Sequence, residues 1–289
     1  MVRGHWALAG PLSRGIHLEG EFSKKLQLVI EGSTALTKAG KQTLHRAFEK
    51  IFRASGCPAL KISLRSDLPV SMGLGSSAAV AVASARLLLQ ASSTPSTVQR
   101  VCRLAWEMER EFHGTPSGID HTCSAYQALI LYRRKSEQTV STVRRVDSEK
   151  PLRLLVALTG PRSPARKSIL ELRERMGRWP IRYHRTMSEI GTLAREGAAA
   201  VTDGDWETLG DIMDANQGLL CALKLSSAPL DEMVQLMRSQ GALGAKLTGA
   251  GGDGGAVIGL FREPEPVMAS MVRRGITCFV GQIGGPQAL

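Results

Sequence analysis

Two carboxylates and a hydroxyl-bearing glycine loop are the residues of this chain whose types and spacing suit group transfer. The stretch "WEMEREFHGTPSGIDHTCSAYQ" (106–127) ends a predicted helix with Glu107, Glu109 and Glu111 and turns at Gly114. It restarts a helix with Thr115 as N-cap and Pro116 in the first turn. Asp120 then falls near a helix N-terminus, where the dipole favours its anion, and the turn brings Glu109 back toward it. Taken alone, Glu107 and Glu111 read more often as a solvated helix face and Asp120 as a helix cap. Upstream, "LPVSMGLGSSAAVAVASA" (68–85) sets Gly73, Gly75, Ser76 and Ser77 between a strand ending near Asp67 and a run of small apolar residues. A glycine turn that opens a helix gathers backbone N–H groups and the positive end of the helix dipole around one point, which is an anion site. Alone, such a turn is as often structural. It is neither a Walker loop, since no G-K-[ST] follows, nor the G-x-G-x-x-G of a dinucleotide fold. A third segment, "GALGAKLTGAGGDGGAVIGLF" (241–261), packs glycines between short strands at 245–248 and 256–260. By itself it is a tight hairpin, and beside the other two loops it is a second backbone wall for phosphates. A phosphate loop with two carboxylates is what phosphoryl transfer requires: one to help hold Mg²⁺, the other to orient or deprotonate the attacking hydroxyl.

The elements that must position these residues follow from periodicity. Strands are predicted at 26–32 and 59–67, the second with Leu60, Ile62 and Leu64 alternating against polar partners, and a helix lies between them at 44–55. Helical spacing recurs at 76–91 and 97–112, and a strand pair at 128–134 and 139–147 follows. From Leu152 the order begins again with the strand "LRLLVAL" and helices at 165–177, 182–202, 206–223 and 229–240. Strands at 254–261 and 277–283 with a helix between them close the chain. This is an α+β protein of two domains, joined near 147–152, and 289 residues with 43% hydrophobic content suffice for two moderate cores.

Composition excludes several classes. The +11 net charge is spread along the chain without a basic run, and only 4% of residues are aromatic, which argues against a nucleic-acid partner. The same charge suits a cleft for an anionic nucleotide or acid substrate, and equally a solvated arginine-rich surface. No apolar run reaches the ~20 residues needed to cross a bilayer, so no membrane partner is expected and the location reads as cytoplasmic. Five scattered cysteines without a C-x-x-C pair suggest reduced, mostly buried thiols. His113 and His121 flank Asp120, but without metal-ligand spacing they read as structural or solvated.

The trio "PVSMGLGSSAA", "EREFHGTPSGID" and "GAKLTGAGGDGG" resembles the three-motif pattern of the GHMP kinases, small-molecule kinases. Within that family the form H-G-x-P-S-G-x-D is most similar to the branch that acts on mevalonate, and "LGDIMDANQGLLCALKLSS" (209–227) is similar to a long helical region of that branch. The resemblance spans about 2–260 and implies a two-domain GHMP kinase fold, with residues 1–148 as a ribosomal protein S5 domain 2-like N-terminal ATP-binding domain and 149–289 as a ferredoxin-like C-terminal domain. It implies that Met72, Gly73, Leu74, Gly75, Ser76, Ser77 and Ala78 cradle the ATP phosphates, and that Ser77 and Glu109 hold Mg²⁺. Asp120 becomes the catalytic base toward the 5-hydroxyl of mevalonate, a step feeding isoprenoid synthesis. Gly249, Ala250, Gly251 and Gly252 close the phosphate region from the second domain. ATP and a small hydroxy acid are the implied ligands, with a homodimer as an allowed assembly. Alternative readings are phosphomevalonate or another hydroxylated acid as acceptor, or a fold member that binds its ligand with little turnover.

Three positions depart from the pattern. The family carries a lysine-bearing strand and a G-E-H turn ahead of the segment that Met1 begins, so a start further upstream is expected. Asp253 stands where glycine is commoner, and Ala165 where a hydroxyl residue is expected, leaving Arg162, Ser163 and Arg166 as candidate carboxylate contacts.

Overall fold

A computed structural model describes residues 4–31, 37–67, 72–134, 141–160 and 165–283. In chain order the elements are β1 (Trp6–Ala9), β2 (Ile16–Phe22), β3 (Gln27–Ile30), α1 (Lys38–Ser55), β4 (Leu60–Ser66), α2 (Ser76–Ala91), α3 (Val98–His113), α4 (Ile119–Tyr126), β5 (Ile130–Arg133) and β6 (Thr142–Arg145). They continue with β7 (Leu152–Leu158), α5 (Ala165–Arg178), α6 (Pro180–Asp203), α7 (Trp206–Ala222), α8 (Ala228–Ser239), β8 (Gly244–Thr248), β9 (Ala256–Leu260), α9 (Pro264–Arg273) and β10 (Cys278–Ile283). Two compact units result. One holds residues 14–70 and 75–127; the other holds 1–13, 71–74 and 128–289.

The smaller unit is a three-stranded sheet, order β2-β4-β3, against α1, α2 and α3. The alternation read in β4 sets its face: Leu60, Ile62 and Leu64 are buried with Phe48 and Ile51 of α1, Ala81, Ala85 and Leu88 of α2, and Leu104 and Met108 of α3. β3 runs parallel to β4, so the chain needs a crossover between them, and α1 supplies it. Thr37 caps α1 through Gly40 N, and Thr97 caps α3 through Arg100 N. β2, which periodicity did not pick out, pairs antiparallel with β4 from Ile16↔Ser66 to Phe22↔Leu60. Its Gly20 admits Leu87 of α2, whose side chain would lie 3.2 Å from a Cβ there.

The larger unit carries a four-stranded antiparallel sheet, order β10-β7-β9-β8, and a small sheet β1-β5-β6. α8 and α9 bury Leu230, Val234, Met237 and Met271 against Leu155, Ala245, Leu247 and Val257. β8 is an edge strand, and α7 closes that edge. Asp214 Oδ1 accepts from Ala245 N at 2.8 Å and Gln217 Oε1 from Leu247 N at 2.9 Å, so two edge N–H groups are satisfied by one helix. Such proximity requires glycine on both sides. A Cβ on Gly244 would lie 2.1 Å from Gly210 O, and one on Gly210 would lie 2.4 Å from Leu243 O. Gly244→Ala is therefore expected to cost at least ~1–3 kcal/mol, the range for overpacking a closed contact, read as a lower denaturation midpoint in urea.

Among the described residues no helix is long and apolar enough to cross a membrane. None of the five cysteines is in a disulfide; Cys57 and Cys123 are buried, Cys102 and Cys278 are half-buried, and Cys221 is exposed, so burial is less general than composition suggests.

Candidate active site

The glycine turn ahead of α2 is built as its glycines require. Gly73 has φ 80° and Gly75 φ 70°, left-handed conformations that a Cβ disfavours, and Gly75 is the N-cap of α2. Among the described residues no side chain caps this end, so Ser76, Ser77 and Ala78 form an uncapped first turn whose N–H groups point outward with the dipole. Ala79 N already bonds Gly75 O at 3.0 Å. Ala78 and Ala81 are buried, which lets the turn sit close on its own unit. Met72 is half-buried, and Leu74 packs toward Val156, Ala256 and Phe279 of the larger unit's sheet. Leu68 and Pro69 lie outside the described residues.

Glu109 and Asp120 lie near enough for the charge of one to act on the other. Glu109 sits on α3 at 3% exposure, and its Oε1 has no hydrogen-bond partner among the described residues. Burial pushes its carboxyl up to about 8; the charge of Asp120 adds to the rise and the Ser77 hydroxyl opposes it. Asp120 is exposed, in the first turn of α4, and its Cβ lies 4.0 Å from where a Gly75 Cβ would stand. Three side chains from α2, α3 and α4 thus converge at the open end of α2. The same anion reaches Cys123, whose thiol burial and Asp120 together push up to about 12. Glu107 and Glu111 turn to Lys50 at 3.5 and 2.9 Å, a solvated face apart from this cluster.

The start of α4 corrects the sequence reading. Thr115 and Pro116 precede the helix, which begins at Ile119 with Gly118 as N-cap at φ 92°. A left-handed residue cannot continue a helix, so Gly118 overrides the Thr-Pro start signal and makes Asp120 the second helical residue.

His113 is the functional candidate that the sequence reading set aside. As the last residue of α3 it stands one turn beyond Glu109, with Nε2 3.0 Å from Ser77 Oγ and 3.9 Å from Glu109 Oε1. The i,i+4 spacing from Glu109 was the available signal. His121, by contrast, is buried with its ring edge-on to Trp106 at 5.6 Å, a packing role.

The glycine loop of the larger unit joins β8 to β9. Gly249, Gly251 and Gly252 have φ 78°, 63° and 118°, Ala250 is half-buried, and Asp253 is exposed. A Cβ on Gly251 would lie 2.0 Å from Leu225 O, and Gly252 N donates to that same carbonyl at 2.9 Å. The loop is thereby fastened to the α7–α8 connection. Arg162 and Ser163 lie outside the described residues.

No group of three or more acidic, histidine or cysteine ligands is present among the described residues. Mg²⁺ does not require one: it is typically bound by one or two side chains, with waters and phosphates completing its shell. Glu109 Oε1, buried and without a hydrogen-bond partner, beside the Ser77 hydroxyl, fits that demand. Glu109 also predicts a pH dependence. Its folded-state pKa lies above its ordinary value of 4.5, so its contribution to stability is complete below about 4.5 and is lost as pH rises through about 8. Metal-free Glu109→Gln is expected to melt above the parent protein at pH 8, with the gap closing toward pH 5, in scanning calorimetry with chelator present. An equal gap at both values would contradict the assignment.

Comparison with known proteins gives concordant matches. The profile of the GHMP kinases N terminal domain matches residues 42–128, and that of the GHMP kinases C terminal matches 194–274. The mevalonate kinase of Aeropyrum pernix is 39% identical over 76% of this chain and 64% of its own length. That of Pyrococcus furiosus is 32% identical over 74% of this chain and 63% of its own. The chain thus spans just under two thirds of the length of the curated relatives it matches. The crystal structure of L. major mevalonate kinase in complex with R-mevalonate superposes with TM-score 0.85 at 25% identity, covering 98% of this chain and 91% of the other.

Proposed function

Because the chain belongs to the GHMP kinases and has their two-domain fold, we propose that it transfers the γ-phosphoryl group of ATP to the 5-hydroxyl of mevalonate. The observation that carries this reading is the convergence of Ser77, Glu109 and Asp120 at the uncapped end of α2. Mevalonate as acceptor rests on the relatives, two of which are mevalonate kinases at 39% and 32% identity.

Each residue has a role that its surroundings suit. The first-turn N–H groups of Ser76, Ser77 and Ala78 bind phosphate oxygens, and Gly73 and Gly75 keep side chains out of that approach. Asp120, exposed and in a first helical turn, accepts the proton of the acceptor hydroxyl as its oxygen attacks phosphorus. Glu109 and Ser77 would hold Mg²⁺, which would supply neutralisation of the charge on the phosphoryl group. Catalysis of this kind is positioning and charge neutralisation with no covalent intermediate on the protein. Gly249–Gly252 are assigned to phosphate binding on the strength of the motif resemblance, and their fastening to Leu225 suits a preformed loop.

The test is a comparison of acceptors by coupled ADP release with MgATP: mevalonate, phosphomevalonate, homoserine and galactose. Mevalonate is expected to give the highest kcat/KM by at least about tenfold, the low end of the discrimination that a methylene-sized difference in a pocket supplies. Preference for phosphomevalonate would move the acceptor one step along, and exposed Asp253 would then be the residue to examine. ATP binding with no turnover on any acceptor would favour a ligand-binding role.

A further inference from the structure

We infer that His113 is a positioning residue for the metal-binding side chains, an inference that rests on the kinase reading above. Its Nε2 lies 3.0 Å from Ser77 Oγ, a normal hydrogen bond, and 3.9 Å from Glu109 Oε1, beyond bonding distance. One imidazole therefore faces both side chains assigned to Mg²⁺, from the end of the same helix that carries Glu109. A serine hydroxyl rotates freely about its Cβ–Oγ bond and has one proton and two lone pairs to direct. Held by His113, the Ser77 hydroxyl is restricted in the orientations it can offer to Glu109, with which it also interacts. Outer partners of this kind orient the groups that touch a metal, and removing one typically weakens metal binding about 10- to 100-fold.

Placement supports the role. His113 closes α3 just before Gly114, which at φ 69° turns the chain away toward Gly118 and α4. The ring is thereby fixed at the point where α3 ends and the Asp120 segment begins. Its side chain is 43% exposed, so it is not a core residue whose loss would empty the interior.

The experiment measures ADP affinity as a function of Mg²⁺ by titration calorimetry on the full chain and on His113→Ala, His113→Phe and His113→Gln. Phe keeps the ring's bulk without a nitrogen. Gln offers both a donor and an acceptor, so it replaces the imidazole whichever tautomer bonds Ser77. Ala and Phe are expected to raise the Mg²⁺ needed for half-maximal enhancement of ADP binding about tenfold, with metal-free ADP binding unchanged and with Gln close to the parent protein. Parent-like metal dependence in Ala and Phe overturns the inference while leaving the kinase reading intact. Equal impairment in Ala, Phe and Gln overturns it too, because the hydrogen bond would then not be the cause. A parent protein whose ADP affinity ignores Mg²⁺ removes the metal assignment itself, and the inference with it.

Discussion

Asp120→Asn is expected to lower kcat for mevalonate by at least about 10²-fold while leaving ATP affinity within about twofold of the parent, the scale of losing a general base. Asparagine keeps the shape and one carbonyl oxygen of the side chain but does not accept the substrate proton. Asp120 is exposed in the first turn of α4, so the exchange neither opens a cavity nor strands a buried group, and a loss of turnover reports on chemistry. ATP binding is assigned to the first turn of α2, where the substitution changes no residue. Removing the anion also relieves one of the two causes that raise the Glu109 carboxyl. Stopped-flow turnover with calorimetric ATP binding decides the matter: unchanged kcat would falsify the base assignment, and loss of both would point to a structural role.

Glu109→Gln carries the second large effect. The neutral amide retains volume at a site only 3% exposed, so folding is expected to be preserved, but the carboxylate assigned to Mg²⁺ is gone. A drop in kcat/KM for MgATP of about 10²-fold is expected, roughly 3 kcal/mol of transition-state stabilisation. More Mg²⁺ should recover part of it. The same variant is expected to be more stable than the parent without metal at pH 8, because a desolvated carboxylate is removed. Opposite signs for activity and stability in one substitution mark a residue kept for function at a cost to the fold. If Mg²⁺ dependence is unaltered, Glu109 is not a metal ligand.

Much of this site was legible from local sequence. α2 runs over Ser76–Ala91, where small apolar residues behind a glycine turn predicted it, and the alternation of Leu60, Ile62 and Leu64 gave the buried face of β4. The approach of Glu109 to Asp120 was readable because a helix end, a glycine turn and a helix start leave few paths for the chain. What escaped was decided by distant partners or by a single dihedral. β1 is four residues long and is defined by pairing with β5, more than a hundred residues later (Trp6↔Arg133). The position of Asp120 within α4 turned on Gly118, where one left-handed residue outweighed a good N-cap pair. The sealing of the β8 edge by Asp214 and Gln217 uses side-chain bonds to backbone across 31 and 30 residues, which no periodicity encodes. His113 was a matter of weighing: its i,i+4 relation to Glu109 was visible, but its bond to Ser77 joins α3 to α2 and needed the fold.

The measurement that tests the central claim most directly is ³¹P NMR of the protein with MgATP and mevalonate, run in parallel with Asp120→Asn. Joint growth of ADP resonances and a new phosphomonoester resonance in equal amounts is expected with the parent protein, at least about 10²-fold slower in the variant. ATP that is bound but unchanged, or ADP released with inorganic phosphate and no monoester, would contradict phosphoryl transfer from this site to the mevalonate hydroxyl.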